Sequence, residues 1–236
     1  MDLDPSLLSL GLVWYVAFLF SLKVHEASHA VAALRLGDPT AYQGGQVTLN
    51  PWPHMRREPF GTVVVPILSF VLAGWMMGWA SAPYDPYWAR RHPKRAAWMA
   101  LAGPASNLAL VVLSGIAIRV GMMAGALETP RQVGFTTVVA GAAPGAPEGL
   151  ATFLSILFSL NLVLFLFNLV PVPPLDGSAA IQLVLKAETA ERWQDFLRQP
   201  MMSLVGIIIA WRVIGYVFWP AFAFSLRALY PELAFG

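Results

Sequence analysis

Apolar residues in this chain fall into long, nearly continuous runs rather than the narrow stripes of a soluble bundle. A helix that crosses a bilayer needs about 20 mostly apolar residues. The first such run extends from about Leu7 to Val24 and continues in helical pattern through His25–Leu36, where Gly37 and Pro39 end it. Further runs cover Gly61–Trp79, Ala96–Met123, Leu150–Val170 and Met201–Leu226. Pro66, Gly74 and Gly78 interrupt the run at 61–79. Pro51, Pro53 and Pro59 forbid a regular helix between the first two runs, and Tyr42–Leu49 reads as a short strand with a turn at Gly44–Gly45. Residues 124–149 form a loop rich in Gly, Ala and Pro. Past Pro171–Pro174 a short helix is expected from Ser178 to Lys186, then an amphipathic piece, Thr189–Arg198, suited to a membrane surface.

This pattern predicts an all-α polytopic membrane protein with about 4–6 membrane segments. A small β-hairpin or re-entrant element is expected after the first helix, and residues 1–236 are expected to form a single domain. Composition agrees. The chain is 57% hydrophobic and 12% charged, whereas an ordinary soluble domain is about 25% charged. The formal net charge is only +2, and the basic residues sit in short loops beside apolar runs. That distribution speaks for orientation in a lipid bilayer and against nucleic acid. Cysteine is absent, which excludes a disulfide framework and a thiolate metal site. The first four residues are acidic where a signal peptide is basic, and no small-residue cleavage site follows the apolar run, so no signal peptide is expected.

Lys and Arg also predict orientation. None precedes the first helix, while Lys23, Arg35, Arg56 and Arg57 follow its outer half. Its C-terminal end is therefore expected on the cytoplasmic side. The basic stretch Arg90–Arg95 asks for the same side. Both demands are met if 61–79 enters and leaves the membrane on one side as a re-entrant hairpin, which Pro66 and Gly74 permit.

The candidate chemistry lies at His25-Glu26-Ala27-Ser28-His29, an H-E-x-x-H pattern on a helix. Histidines four apart lie on one face about one turn apart and can hold one ion. Glu26 is adjacent and can reach a water at the ion's open position, whose pKa a zinc ion lowers. The bland alternative is a pair of core histidines. It is weak here, because ionisable residues in a spanning helix are costly and functional by default. A catalytic zinc takes a third protein ligand. His54, Glu58, Asp85, His92, Glu128, Glu148 and Asp176 are available. Asp176 stands out, directly after an apolar run and within a proline-broken stretch, but spacing leaves two roles open for it: zinc ligand, or N-cap of the helix near Ser178.

These residues resemble the site-2 proteases, a family of intramembrane zinc metalloproteases, in the compact form without a PDZ domain. His25–His29 is similar to the family's H-E-x-x-H, Ala102–Asn107 to its A-G-P-x-x-N, and Asn168–Gly177 to its N-x-x-P-x-x-P-L-D-G. The resemblance implies a zinc metalloendopeptidase that hydrolyses peptide bonds within or near transmembrane segments of substrate proteins. It implies Zn2+ held by His25, His29 and Asp176, with Glu26 as general acid and base. Asn168 matches a position that faces the family's active site, and Asn107 one near its catalytic helices. For Asn107 an interhelical hydrogen bond is an equal alternative, and His54 is expected on a surface loop. A bacterial or archaeal plasma membrane is the expected location, with the active site toward the cytoplasm. The alternative, a silent homologue acting as a scaffold, is disfavoured by the intact Glu26. A metal transporter is disfavoured by a single compact constellation without inverted repeats.

Overall fold

A computed structural model describes residues 5–197 and 199–232. The chain opens with α1 (Pro5–Leu36), followed by the short helices α2 (Thr40–Gln43) and α3 (Trp52–Arg57). A π-helical turn, Phe60–Val64, leads into α4 (Val65–Ala73), and α5 (Pro86–Arg91) precedes α6 (Pro93–Met123). Strands β1 (Leu127–Glu128) and β2 (Ala140–Gly141) pair antiparallel, with Leu127 opposite Gly141. Then come α7 (Ala146–Asn168), α8 (Asp176–Ala180), a 3-10 turn at Ile181–Leu183, α9 (Ala187–Leu197) and α10 (Pro200–Leu229). Among the described residues α1, α6, α7 and α10 are long and apolar enough to cross a membrane. The protein is therefore an all-α polytopic membrane protein with a small β element.

Helix α7 is the hub. Its Leu154, Phe158 and Leu162 pack with Val111 and Ile118 of α6 and with Ile214, Phe218 and Phe222 of α10. Its Ile156 and Leu160 pack with Trp14, Phe18 and Leu22 of α1. Burying such side chains contributes roughly 1.5–3 kcal/mol each relative to leaving them in water. The outward faces stay apolar, with Leu12, Val16, Val112, Leu113, Ile208 and Phe224 exposed. An apolar exterior of this kind suits lipid.

The segment after α1 doubles back on itself. Phe60–Ala73 is too short to cross a bilayer. Gly74 ends it in a left-handed conformation (φ 75°), and the chain returns without helix until α5. Trp79 N donates to the Gly61 carbonyl at 3.1 Å, so the outgoing and returning strands of chain meet. Gly61 is required there, because a Cβ would lie 2.3 Å from the Trp79 carbonyl oxygen. The element after the first helix is thus of the re-entrant kind, and the β pairing sits elsewhere, between α6 and α7. Tyr42–Leu49 holds no strand. Asp38 Oδ1 accepts from both the backbone N and the hydroxyl of Thr40 and starts α2 instead.

The four spans alternate in direction. The first half of α6 lies against the second half of α1, and its far end meets the end of α10 through Arg119, which donates to the Leu229 carbonyl. The loop between α6 and α7 is tied to that same far end, where the Tyr230 hydroxyl donates to the Val138 carbonyl at 2.8 Å.

Candidate metal centre

Three side chains converge at the end of the bundle away from the β pair. The Nε2 atoms of His25 and His29 are 3.0 Å apart. Asp176 Oδ2 lies 3.2 Å from His25 Nε2, and its Oδ1 3.3 Å from His29 Nε2. Among the described residues this is the one group of three His, Cys, Asp or Glu side chains close enough to hold an ion.

Local sequence accounts for each placement. His25 and His29 share the face of α1 that meets α6. Helix α6 accommodates them because Gly103 has no side chain. A Cβ at 103 would lie 2.3 Å from His29 Nε2 and 2.6 Å from His25 Nε2. Pro104, next in sequence, removes one helical N–H and favours a bend at that turn. Asp176 arrives from the far side. Asn168 ends α7, the prolines that follow preclude regular helix, and α8 begins at Asp176. Gly177 lets the chain turn tightly, since a Cβ there would lie 2.3 Å from the Leu169 carbonyl oxygen. Gly206 of α10 closes on the same loop, where a Cβ would clash with the Pro173 carbonyl oxygen. Leu175 stands at the N-cap position of α8 and no side chain caps the helix, so the Asp176 carboxylate is not used as a cap.

The other ring nitrogens define the tautomers. Asn107 Oδ1 accepts from His25 Nδ1 at 2.6 Å, and the Met99 carbonyl accepts from His29 Nδ1 at 2.8 Å. Each neutral ring therefore carries its proton outward and its lone pair, on Nε2, inward. Asn107 Nδ2 donates to Asn161 Oδ1, and Asn161 Nδ2 donates to the Ser21 hydroxyl and to the Leu157 carbonyl. Four residues on three helices thus form one buried relay ending on His25.

The donor set fits a metal. Two imidazoles and a carboxylate face one another at 3.0–3.3 Å, an arrangement that a shared cation satisfies. A tetrahedral zinc with ligand bonds of about 2.1 Å separates its ligand atoms by about 3.4 Å. The outward hydrogen bond on each ring is what a metal-ligating histidine needs to fix its orientation.

Glu26 is buried beside the cluster, and its Oε2 has no hydrogen-bond partner. Asn168 stands in the last turn of α7, where its Nδ2 donates to the Leu164 carbonyl at 3.0 Å. Asn107 touches the cluster through His25. Asp85 caps α5 through Tyr87 N and lies outside the cluster. Asn161 was not anticipated, although a lone amide inside an apolar run was a visible signal. His54, expected on a surface loop, is instead buried, because α3 folds back onto the body of the protein.

Comparison with known proteins identifies the family. The model of peptidase family M50 matches residues 13–211. "Putative zinc metalloprotease YwhC" of Bacillus subtilis (strain 168) is 34% identical over 208 residues, covering 87% of this chain and 83% of the relative. "Putative zinc metalloprotease Rip2" of Mycolicibacterium smegmatis is 30% identical over 208 residues, covering 86% and 70%. The protein of that name in Mycobacterium tuberculosis strain H37Rv is 31% identical over 201 residues, covering 85% and 68%. No solved structure matches. The chain belongs to peptidase family M50, the site-2 protease family.

Proposed function

We propose that this protein is an intramembrane zinc endopeptidase that cuts within or near transmembrane segments of other proteins. The carrying observation is the convergence of His25, His29 and Asp176 beside Glu26 on a membrane-spanning helix. His25, His29 and Asp176 hold the zinc. When bound, zinc supplies Lewis acidity that polarises the scissile carbonyl and acidifies the reacting water. Glu26 accepts a proton from that water and passes it to the leaving amide nitrogen. Asn107 holds His25 in the productive tautomer, and Asn168, at the end of α7 where the loop to Asp176 begins, steadies the reacting carbonyl in this reading.

A groove of about 810 Å³ runs along the part of α1 that carries His25 and His29, lined by Val24, Ala27, Ser28, Val31, Val47 and Leu49. Its apolar walls suit an unwound stretch of apolar peptide. The basic residues support a site toward the cytoplasm, because Arg35, Arg56, Arg57, Arg90, Arg91, Lys94 and Arg95 all belong to segments at the cluster's end of the bundle. That location suits a bacterial or archaeal plasma membrane. Residues 1–236 act as one domain in this reading.

The test pairs metal analysis with cleavage of a transmembrane substrate trapped by the inactive variant. Glu26→Gln is expected to keep stoichiometric zinc and lose cleavage by at least about a thousandfold. The double variant His25→Ala/Asp176→Ala is expected to lose the metal. Full zinc occupancy in that double variant overturns the ligand assignment.

A further inference from the structure

Eight buried side-chain polar atoms among the described residues have no hydrogen-bond partner. Four of them, Lys23 Nζ, Glu26 Oε2 and both ring nitrogens of His54, are linked through the Lys23 charge, and a fifth, Oε1, belongs to Gln46, whose backbone faces the His54 ring. Lys23 and Glu26 lie one turn apart on α1. The Lys23 charge acts on Glu26, on Glu58 and on the His54 ring. The Gln46 backbone faces that ring without meeting hydrogen-bond geometry. All four residues are between 2% and 4% exposed.

Such a group cannot be dry. A buried polar atom left unsatisfied costs about 1–3 kcal/mol, and more if charged. Five together would cost on the order of 5–15 kcal/mol, the entire stability of a typical domain. Buried water is the ordinary remedy where two to four polar partners surround a space. The inventory here is complementary. Lys23 offers only donors, Glu26 and Gln46 offer acceptors, and a neutral His54 offers one of each.

We propose that Lys23, Gln46 and His54 form a hydrated cell beside Glu26 that stores the water consumed in peptide hydrolysis. The purpose rests on the protease reading above; the presence of water does not. Each cut uses one water molecule, whose oxygen bonds to the carbonyl carbon as the C–N bond breaks and whose protons end on the new amine and carboxyl groups. A substrate seated in the groove covers one side of α1, and lipid surrounds the bundle. The groove is lined by Val24, Ala27, Ser28 and Val31 of α1 but by neither Lys23 nor Glu26, so a reservoir beside those two keeps water against Glu26 while the groove is filled. Gln46 and His54 are positioning residues here, acting through water on Glu26.

The test begins from a chain without cysteine, so single thiols can be introduced cleanly. Gln46→Cys is compared with Ala17→Cys, whose position is fully buried in the apolar packing of helix α1. A small charged thiosulfonate reacts with thiolates that meet water. Gln46→Cys is expected to react at least about a hundredfold faster than Ala17→Cys; equal rates overturn the cell. Next, His54→Leu is expected to keep zinc and KM while kcat falls at least about tenfold, and His54→Asn is expected to recover most of it. Full kcat in His54→Leu overturns the storage role. If the wild-type chain cuts no substrate, the protease reading fails, while the thiol comparison still decides whether the cell holds water.

Discussion

Helix α1 has two polar sides, and they are built on opposite principles. Toward α6 and α7, the network that backs the His25–His29 pair is saturated. His25, Asn107, Asn161 and Ser21 form one unbroken relay, and His29 rests on the Met99 carbonyl. The side toward residues 46–58 carries Lys23 and Glu26, whose buried atoms end without protein partners. A saturated network fixes rotamers and tautomers, which a metal ligand requires. An unsaturated one leaves room for species that must enter, react and leave. The contrast suggests that geometry is held on one flank of the helix and chemistry is fed from the other.

The saturated side is most directly broken at Gly103. A methyl group there would lie 2.3 Å from His29 Nε2 and 2.6 Å from His25 Nε2, too close for both rings to keep their places. Gly103→Ala is expected to expel at least one ring from the cluster, abolish stoichiometric zinc binding and remove all measurable cleavage. Metal analysis of the purified variant checks it. Retention of zinc at wild-type affinity would show that α6 can shift away from α1.

The unsaturated side is expected to be the acid-sensitive one. Burial, aided by the Lys23 and Arg57 charges, pushes the His54 pKa down to about 4. The unfolded chain has an ordinary value of about 6.5. The folded state therefore binds fewer protons between those two values. His54 contributes its stability in full above about pH 6.5, and the contribution is lost as pH falls toward 4. The shift corresponds to roughly 3 kcal/mol. His54→Asn, which cannot titrate, is expected to lose less Tm than wild type between pH 7 and pH 4, measured in detergent micelles. Parallel Tm curves would refute the burial of a neutral ring.

How much of this was legible in the sequence depended on whether a residue's role was local. His25 and His29 were, because helical periodicity alone puts them together. The four spans were, because lipid demands long apolar runs. Asp176 was half legible: the prolines announced a broken helix, but only the packing of the 169–175 loop against α10 shows which way its carboxylate points. The 42–49 segment misled because Gly44–Gly45 resembles a hairpin turn, while Asp38, acting from two residues upstream, starts a helical turn at Thr40. His54 misled because proline-rich chain usually runs over the surface, and nothing local reveals that it folds onto α1. Gly103 looked like one of many small residues suited to close helix packing. Its particular duty, clearing space for two imidazoles, is a property of the pair of helices and of neither alone.

The finest comparison lies within the saturated side, between its metal end and its far end. Ser21 accepts from Asn161 Nδ2 at 2.8 Å and spends its own hydroxyl proton on the Ala17 carbonyl. If Ser21 is replaced by alanine, Asn161 Nδ2 keeps its second acceptor, the Leu157 carbonyl at 2.7 Å. Asn161 Oδ1 still receives Asn107 Nδ2, so Asn107 has no reason to rotate and His25 keeps its tautomer. Ser21→Ala is therefore expected to cost about 0.5–1.5 kcal/mol of stability. Zinc affinity, measured by chelator competition, is expected to change by less than about threefold, well short of the 10–100-fold typical when a ligand's own supporting group is removed. A larger loss of zinc would mean that the relay transmits strain along its whole length, and that the rigidity of the saturated side is cooperative rather than assembled from separate bonds.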